Sequence, residues 1–263
     1  MVLFLLLKYI KGDSMKNLIK DIKYGEKENN LLDVYLPSNS NFQTIIYFHG
    51  GGLEVGDKQD NNVVEIANSL VKKGYSFVSV NYSLYPNVKC PDFIFEGAKA
   101  IDFVNSHLKS WGGNGEVIIC GQSAGAYISV MLCVDKKYLS IVKTDNLKIV
   151  AWCIESAQMT EHYNVLREKG LDTRLQRINE FSPLYFVNEN TLFSKMLLLF
   201  YDNDIPCRLE QNMLFYKSVL NFNPKAKISY KILKGGHCRA SCEKDEDGEY
   251  EFVKVLSKWL NNE

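Results

Sequence analysis

The sequence carries no excess of either charge. Its 263 residues include 31 Lys and Arg and 31 Asp and Glu, so the formal net charge is zero. A net charge of zero gives no indication of a basic surface that would follow the phosphates of a nucleic acid. The composition therefore predicts no nucleic-acid partner.

Long apolar runs are also missing. The apolar segment at residues 1–7 is followed at once by Lys8 and Lys11, and it is too short to span a bilayer. A secretory signal would place its charges before the apolar run and a small-residue cleavage site after it. We therefore expect residues 1–18 to be an N-terminal tail, with Met15 as an alternative start, and we expect no membrane partner.

The cysteines do not have the spacing of a disulfide framework. There are 7 of them, an odd number, no two read C-x-x-C, and several stand in apolar runs. This pattern is typical of buried thiols in a reducing compartment, so we expect a cytoplasmic protein. Cys238 and Cys242 beside His237 do not have the spacing of a zinc site. We expect neither a metal nor a cofactor.

Short β-type runs alternate with longer helical ones from residue 31 onward. Such alternation indicates a mostly parallel, twisted sheet with helices on both faces, and we expect residues 19–263 to form a single domain. The segments at 31–37 and 44–48, joined by the turn-rich residues 38–41, are expected to form an antiparallel hairpin. The predicted strands are 31–36, 44–48, 76–81, 117–120, 149–154, 196–201 and 228–233, and the predicted helices are 63–73, 93–109, 124–134, 209–219 and 249–260.

One stretch interrupts the alternation. Residues 156–190 show no strand pattern, and they follow a strand at the expected carboxyl edge of the sheet, where open α/β sheets build their sites. A connection of this length without a strand is more often functional than not. We interpret 156–190 as a small lid insertion, with a purely structural crossover as the alternative.

The most informative motif is GQSAG at residues 121–125. It stands between a predicted strand and a predicted helix, which is the context that a nucleophile elbow requires. The turn would expose the Ser123 hydroxyl above the sheet at a helix N-terminus, whose dipole favours developing negative charge. Ser123 is the predicted nucleophile.

A second motif, HGGG at residues 49–52, directly follows the predicted strand 44–48. Consecutive glycines let backbone N–H groups turn toward a substrate oxygen with no Cβ in the way. We expect an oxyanion hole built from the N–H groups of Gly51 and Gly52 and completed by that of Ala124, with Leu53 lining the substrate pocket. A phosphate-cradling loop is the alternative, but the sequence lacks the Lys-Ser/Thr ending of a P-loop.

A serine nucleophile needs a base. In this arrangement the chain order is serine, acid, histidine, which leaves His162 and His237 as candidates. His237 follows the last predicted strand through a glycine-containing loop and is the predicted base. His162 lies in the insertion, where we expect it to line the pocket or to cap a helix.

The acid should lie on a loop between Ser123 and His237. Asp202 and Asp204 both follow the predicted strand 196–201. We favour Asp204, because proline at position 206 stiffens the chain beside it, with Asp202 as the alternative. The acid would hold the imidazole in its working tautomer and stabilise the imidazolium.

Together these motifs resemble the α/β-hydrolase superfamily, and within it the small HGGG esterases grouped with kynurenine formamidases and feruloyl or acetyl-xylan esterases. The resemblance covers most of the chain from residue 31 onward and implies the α/β-hydrolase fold and esterase activity. The family's acid loop often reads Gly-x-x-Asp, whereas this chain has Tyr201 in the place of the glycine. The residues that carry the resemblance are YFHGGGLEVGDK at 47–58, VNYSLYP at 80–86, GQSAGA at 121–126, YDNDIP at 201–206 and GGH at 235–237.

The leading hypothesis is a serine carboxylesterase that acts on small, short-acyl esters through an acyl-enzyme. An amidase such as an arylformamidase would use the same triad. A hydrolase-fold binding protein would lack a triad member, whereas this chain has a candidate for each. The acyl and alcohol halves of the substrate and the oligomeric state stay open, and the many aromatic residues would allow a homodimer.

Overall fold

The computed structural model describes residues 17–261, so the alternative start at Met15 and most of the expected tail lie outside the described residues. Apolar runs become central strands because helices cover both faces of the sheet. The strands are β1 (Leu18–Lys23), β2 (Leu31–Tyr35), β3 (Phe42–Phe48), β4 (Ser76–Val80), β5 (Gly113–Gln122), β6 (Lys148–Glu155), β7 (Met196–Tyr201) and β8 (Ile228–Leu233). They form one sheet in the order β1-β2-β4-β3-β5-β6-β7-β8.

All neighbouring strands from β4 to β8 are parallel, and β1 and β2 form an antiparallel edge. The predicted mostly parallel sheet with helices on both faces, the α/β-hydrolase fold, is confirmed. The helices are α1 (Asn61–Lys72), α2 (Asp92–Trp111), α3 (Ala124–Val134), α4 (Lys136–Leu139), α5 (Tyr163–Glu168), α6 (Arg208–Phe222), α7 (Arg239–Cys242) and α8 (Glu251–Asn261), with a 3-10 helix at Pro183–Phe186.

The predicted hairpin is wrong. β2 pairs antiparallel with β4, and β4 pairs in parallel with β3, so β4 lies between the two strands that were expected to be neighbours. β4 is buried at every position. A place between two strands satisfies the backbone groups on both of its edges, which an edge position would leave to solvent.

Side chains alternate between two apolar cores along β3. Ile46 and Phe48 pack into the core on the side of α2, α3 and α6, while Ile45 and Tyr47 pack into the core beside α1 and α8. This arrangement leaves the carboxyl ends of β3, β5, β6, β7 and β8 at one edge of the sheet. Every predicted site residue follows one of those ends.

The segment between β6 and β7 contains α5 and the 3-10 helix but no strand. It begins at the carboxyl end of β6, and so at the edge of the sheet where the predicted site residues lie. Between residues 17 and 261, no helix combines the length and the apolar character that crossing a membrane requires.

Candidate active site

Ser123 occupies the sharp turn between β5 and α3. Its backbone is in a strained conformation, with φ 52° and ψ −110°. A non-glycine residue held in such a region costs on the order of 1–3 kcal/mol and is typical of functional sites. The Ser123 N–H donates a hydrogen bond to the Glu155 carbonyl at 2.8 Å, which ties the turn to the end of β6.

Gly125 allows this turn to lie against the end of β3. A methyl group built on Gly125 would lie 2.1 Å from the Phe48 carbonyl oxygen, a separation that no real Cβ atom tolerates. The second glycine of the elbow motif is therefore required by the close approach of two backbones. This contact also places Ser123 near the glycine loop that follows β3.

His237 lies between Ser123 and Asp204. Its Nε2 atom is 2.8 Å from the Ser123 Oγ, and its Nδ1 atom is 2.5 Å from the Asp204 Oδ1. The Asp204 side chain is only 1% exposed, whereas that of His237 is 25% exposed. The structure thus brings the three predicted triad residues into one hydrogen-bonded chain that opens to solvent at its serine end.

The Asp204 carboxylate also accepts hydrogen bonds from the Ser156 hydroxyl at 2.7 Å and from the Ile205 N–H at 2.8 Å. Burial by itself raises the pKa of Asp204, but the hydrogen bonds from His237 and Ser156 outweigh it and hold the pKa below its ordinary value. The carboxylate is therefore ionised at neutral pH and can orient a neutral imidazole.

Asp202 has a different environment. It is exposed, forms an ion pair with Lys234 at 2.9 Å and accepts a hydrogen bond from the Gly235 N–H at 2.9 Å. The Lys234 ammonium holds the pKa of Asp202 below its ordinary value. Asp202 thus pins the loop that precedes His237 without touching the imidazole.

The glycine loop lies beside Ser123 and is held in positive-φ conformations, with φ 106° at Gly51 and 65° at Gly52. Among the hydrogen bonds of residues 17–261, none uses the N–H of Gly51, Gly52 or Ala124 as its donor. The three predicted oxyanion donors are therefore available to a ligand.

His49 contacts the glycine loop, and among the described residues it makes no hydrogen bond with Ser123. Its ring stacks on Tyr82 with centroids 4.5 Å apart, and its Nδ1 atom is 2.7 Å from the Gly50 carbonyl oxygen. Burial lowers the pKa of His49, so the ring is neutral and donates to that carbonyl.

Gln122, the variable residue of the elbow motif, connects three parts of the site. Its Oε1 atom accepts a hydrogen bond from the Gly50 N–H at 3.2 Å, and its Nε2 atom donates to the Ser241 hydroxyl at 2.6 Å and toward the Cys242 sulfur at 3.1 Å. The glycine loop, the elbow and α7, which follows His237, are thereby joined. Sequence reasoning missed Gln122 and Ser156, because their partners lie more than 40 residues away.

Leu53 and His162, the two predicted pocket residues, are both buried. Leu53 has φ 68° and accepts a hydrogen bond at its carbonyl from the Tyr85 N–H at 2.7 Å. His162 caps α5 by accepting a hydrogen bond at Nδ1 from the Asn164 N–H, and its burial lowers the pKa of the ring well below the ordinary value. Contact of either side chain with a substrate stays a prediction.

Glu155 carries a fully buried carboxyl group, and its backbone carbonyl accepts the hydrogen bond from the Ser123 N–H. It accepts a hydrogen bond from the Tyr201 hydroxyl at 2.5 Å, and that hydroxyl in turn accepts one from the Ala240 N–H at 2.8 Å. Tyr201, the residue that replaces the family's glycine, therefore links β6 to the segment after His237. Burial raises the pKa of Glu155 to about 7.

This raised pKa predicts a pH dependence of stability. The pKa of Glu155 in the folded protein exceeds the ordinary value of about 4.3. The contribution of Glu155 to the free energy of unfolding is therefore fully present below about pH 4.3, and it is lost as the pH rises through about 7. Glu155→Gln keeps an acceptor for Tyr201 but does not titrate. We expect its free energy of unfolding, relative to the wild type, to increase by roughly 3 kcal/mol between about pH 5 and pH 8.

Urea unfolding of both proteins at the two pH values measures this difference, with Glu210→Gln on the exposed surface of α6 as the matched control. Parallel stability curves for Glu155→Gln and the wild type would contradict the assignment.

The sheet order and the strand–turn–helix placement of Ser123 are those of an α/β hydrolase. The family model described as BD-FAE matches residues 32–219, and the chain belongs to the BD-FAE family. The sequence-based assignment to the α/β-hydrolase superfamily is thereby confirmed.

Within residues 17–261, no group of three or more His, Cys, Asp or Glu residues is placed to hold a metal ion.

Two curated relatives and one solved structure illustrate the similarity. The chain is 32% identical over 124 residues to a kynurenine formamidase of Danio rerio, across 46% of this chain and 41% of that protein. It is 26% identical over 149 residues to a probable isoprenylcysteine alpha-carbonyl methylesterase of Arabidopsis thaliana, across 56% of this chain and 30% of that protein. A truncated carbohydrate esterase from gut microbiota superposes with a TM-score of 0.75 at 17% identity, across 96% of this chain and 98% of that chain.

The alignments span less than half the length of these two curated relatives. At 17% identity, the structural likeness to the carbohydrate esterase shows the shared fold.

Proposed function

We propose that the protein is a serine hydrolase that cleaves small, short-acyl carboxylic esters through an acyl-enzyme. The observation that carries this proposal is the continuous hydrogen-bonded chain from Ser123 through His237 to Asp204. We assign these residues as nucleophile, base and orienting acid. The buried carboxylate, the half-buried imidazole and the strained serine match the roles that such a triad needs.

The hydrogen-bonded chain supports the following course of reaction. His237 Nε2 takes the Ser123 proton while Oγ attacks the ester carbonyl, and the oxygen that becomes negative accepts hydrogen bonds from the N–H groups of Gly51, Gly52 and Ala124. The tetrahedral intermediate collapses when His237 returns the proton to the leaving alcohol. Water then attacks the acyl carbonyl while His237 takes its proton, and the second tetrahedral intermediate collapses with cleavage of the bond to Ser123 Oγ. The carboxylic acid leaves, and His237 returns the proton to Oγ.

Turnover of acyl esters of graded chain length tests this function. We expect acetyl to butyryl esters to be hydrolysed fastest, because the first turn of α5 packs against Gly52 and limits the room beside the glycine loop. The measurement is kcat/KM for each chain length, together with covalent labelling by a fluorophosphonate. A protein that neither hydrolyses esters nor reacts with the probe would refute the proposal.

An amidase, in particular an arylformamidase, is the second candidate. The 32% identity to a kynurenine formamidase favours it, and an amide would use the same residues. Comparing kcat/KM for a formanilide with that for an acetyl ester separates the two activities. Faster turnover of the formanilide would assign the protein to the amidase class.

We make two further proposals, on the cellular location and on residues 156–190. The seven cysteines are free thiols, Cys207 and Cys242 among them exposed, which supports our proposal of a reducing, cytoplasmic location. We also propose that residues 156–190 act as a lid over the site. Light scattering measures whether the protein forms a homodimer in solution.

A further inference from the structure

We propose that the Tyr163 hydroxyl is an additional hydrogen-bond donor to the oxyanion, so that α5 of the insertion supplies part of the catalytic machinery. The inference rests on the proposed serine-hydrolase function and extends the predicted oxyanion hole beyond backbone groups. Neither of the two sequence motifs contains this residue.

The Tyr163 hydroxyl lies against the glycine loop. A methyl group built on Gly52 would lie only 1.8 Å from its oxygen, so the phenol occupies the space that any side chain at position 52 would fill. Gly52 is one of the three residues whose N–H group is available to a ligand. The phenol oxygen and this N–H group are therefore close neighbours at the same point of the loop.

Helix α5 is held against the same loop by two further contacts. Asn164 is fully buried, and its Nδ2 atom donates a hydrogen bond to the Gly52 carbonyl at 3.0 Å. Arg167 forms an ion pair with Glu54, and its guanidinium lies over the Tyr163 ring, 5.8 Å from the centroid. These contacts hold α5, and with it Tyr163, against the glycine loop.

The ring itself has little freedom. It stacks on His162 with centroids 4.5 Å apart, and Gln158 accepts a hydrogen bond from the Tyr163 N–H at 3.2 Å. A donor held in place before the reaction stabilises developing charge without a cost of reorganisation.

The hydroxyl proton is available for a ligand. Among residues 17–261, no group accepts a hydrogen bond from the Tyr163 hydroxyl. Burial, reinforced by the nearby Glu54 carboxylate, raises the pKa of the phenol, so it keeps its proton at neutral pH. A neutral phenol beside a backbone N–H group is suited to donate to an oxyanion.

Tyr163→Phe tests the inference because it removes only the hydroxyl. Loss of one oxyanion donor typically lowers kcat by about 10²–10³-fold, and for the half-buried Tyr163 phenol we expect about ten- to a hundredfold, with KM changed less than about twofold. The affinity for an aryl trifluoromethyl ketone, whose serine adduct carries an oxyanion, should fall by the same factor. Tyr185→Phe, which alters an exposed tyrosine of the same insertion, is the matched control.

The outcomes are distinct. Parallel losses in kcat and in ketone affinity, with an unchanged melting temperature, support the inference. Unchanged kcat and ketone affinity overturn it, and an increase in KM alone overturns it in favour of a contact with the ground-state substrate. If the wild type hydrolyses neither esters nor formanilides, the proposed function fails, whereas an active wild type matched by Tyr163→Phe refutes only the role of Tyr163.

Discussion

Ser123→Ala is expected to lower kcat by on the order of 10⁵–10⁶-fold, because losing an activated nucleophile removes the covalent route altogether. The substitution removes the Ser123 Oγ, which lies 2.8 Å from the Nε2 atom of His237. Alanine adopts the strained φ of 52° no less easily than serine does. The fold should therefore stay intact.

The measurement is steady-state hydrolysis of an acetyl ester together with fluorophosphonate labelling and a thermal melt. Ser106→Ala, on the exposed surface of α2, is the matched control and should retain wild-type turnover and labelling. Turnover of Ser123→Ala above about a hundredth of the wild-type value would exclude Ser123 as the nucleophile.

Asp204→Asn is expected to lower kcat by about 10⁴-fold while leaving the geometry in place. The carboxylate at 2.5 Å from Nδ1 requires the imidazole to carry its proton there, which leaves Nε2 free to accept the serine proton. An amide in the same position can donate its N–H to Nδ1, which selects the opposite tautomer. That tautomer cannot act as the base toward Ser123.

Asp202→Asn is the matched control, since it changes the neighbouring carboxylate in the same way. Asp202 contacts Lys234 and the Gly235 N–H at the surface, so we expect kcat within about threefold of the wild type and a lower melting temperature. Parallel kinetics and melting curves decide the assignment. A large loss of kcat in the Asp202 variant alone would transfer the role of the acid to Asp202.

The proposed nucleophile and oxyanion donors could be predicted from the sequence because the patterns that indicate them are local. An elbow needs a strand, a tight turn with small residues and a helix within about twenty residues, and GQSAG between its apolar runs shows all three. The HGGG loop is equally local, since its glycines directly follow β3. For the same reason the predicted helix at 124–134 coincides with α3.

The chain order also reduced the number of candidates for the base and the acid, but it did not decide between Asp202 and Asp204 as the acid. The two aspartates are two residues apart on one loop, and they differ in which part of the segment after β8 each of them contacts. In the structure Asp204 faces His237 and the Ser156 hydroxyl, and Asp202 faces Lys234. That distinction depends on the path of the loop across the ends of β7 and β8.

The remaining features depend on which strand ends become neighbours. β4 enters between β2 and β3 because both of its edges and both of its faces can then be buried, and no local pattern in residues 31–48 signals this. Ser156, Gln122 and Tyr201 acquire their roles from hydrogen bonds to groups 39 to 119 positions away. Local patterns in the sequence determine helices, strands and turns. Contacts between distant segments arise only when the sheet has assembled. Burial and hydrogen bonding then select one strand pairing among many that the local sequence leaves equally acceptable.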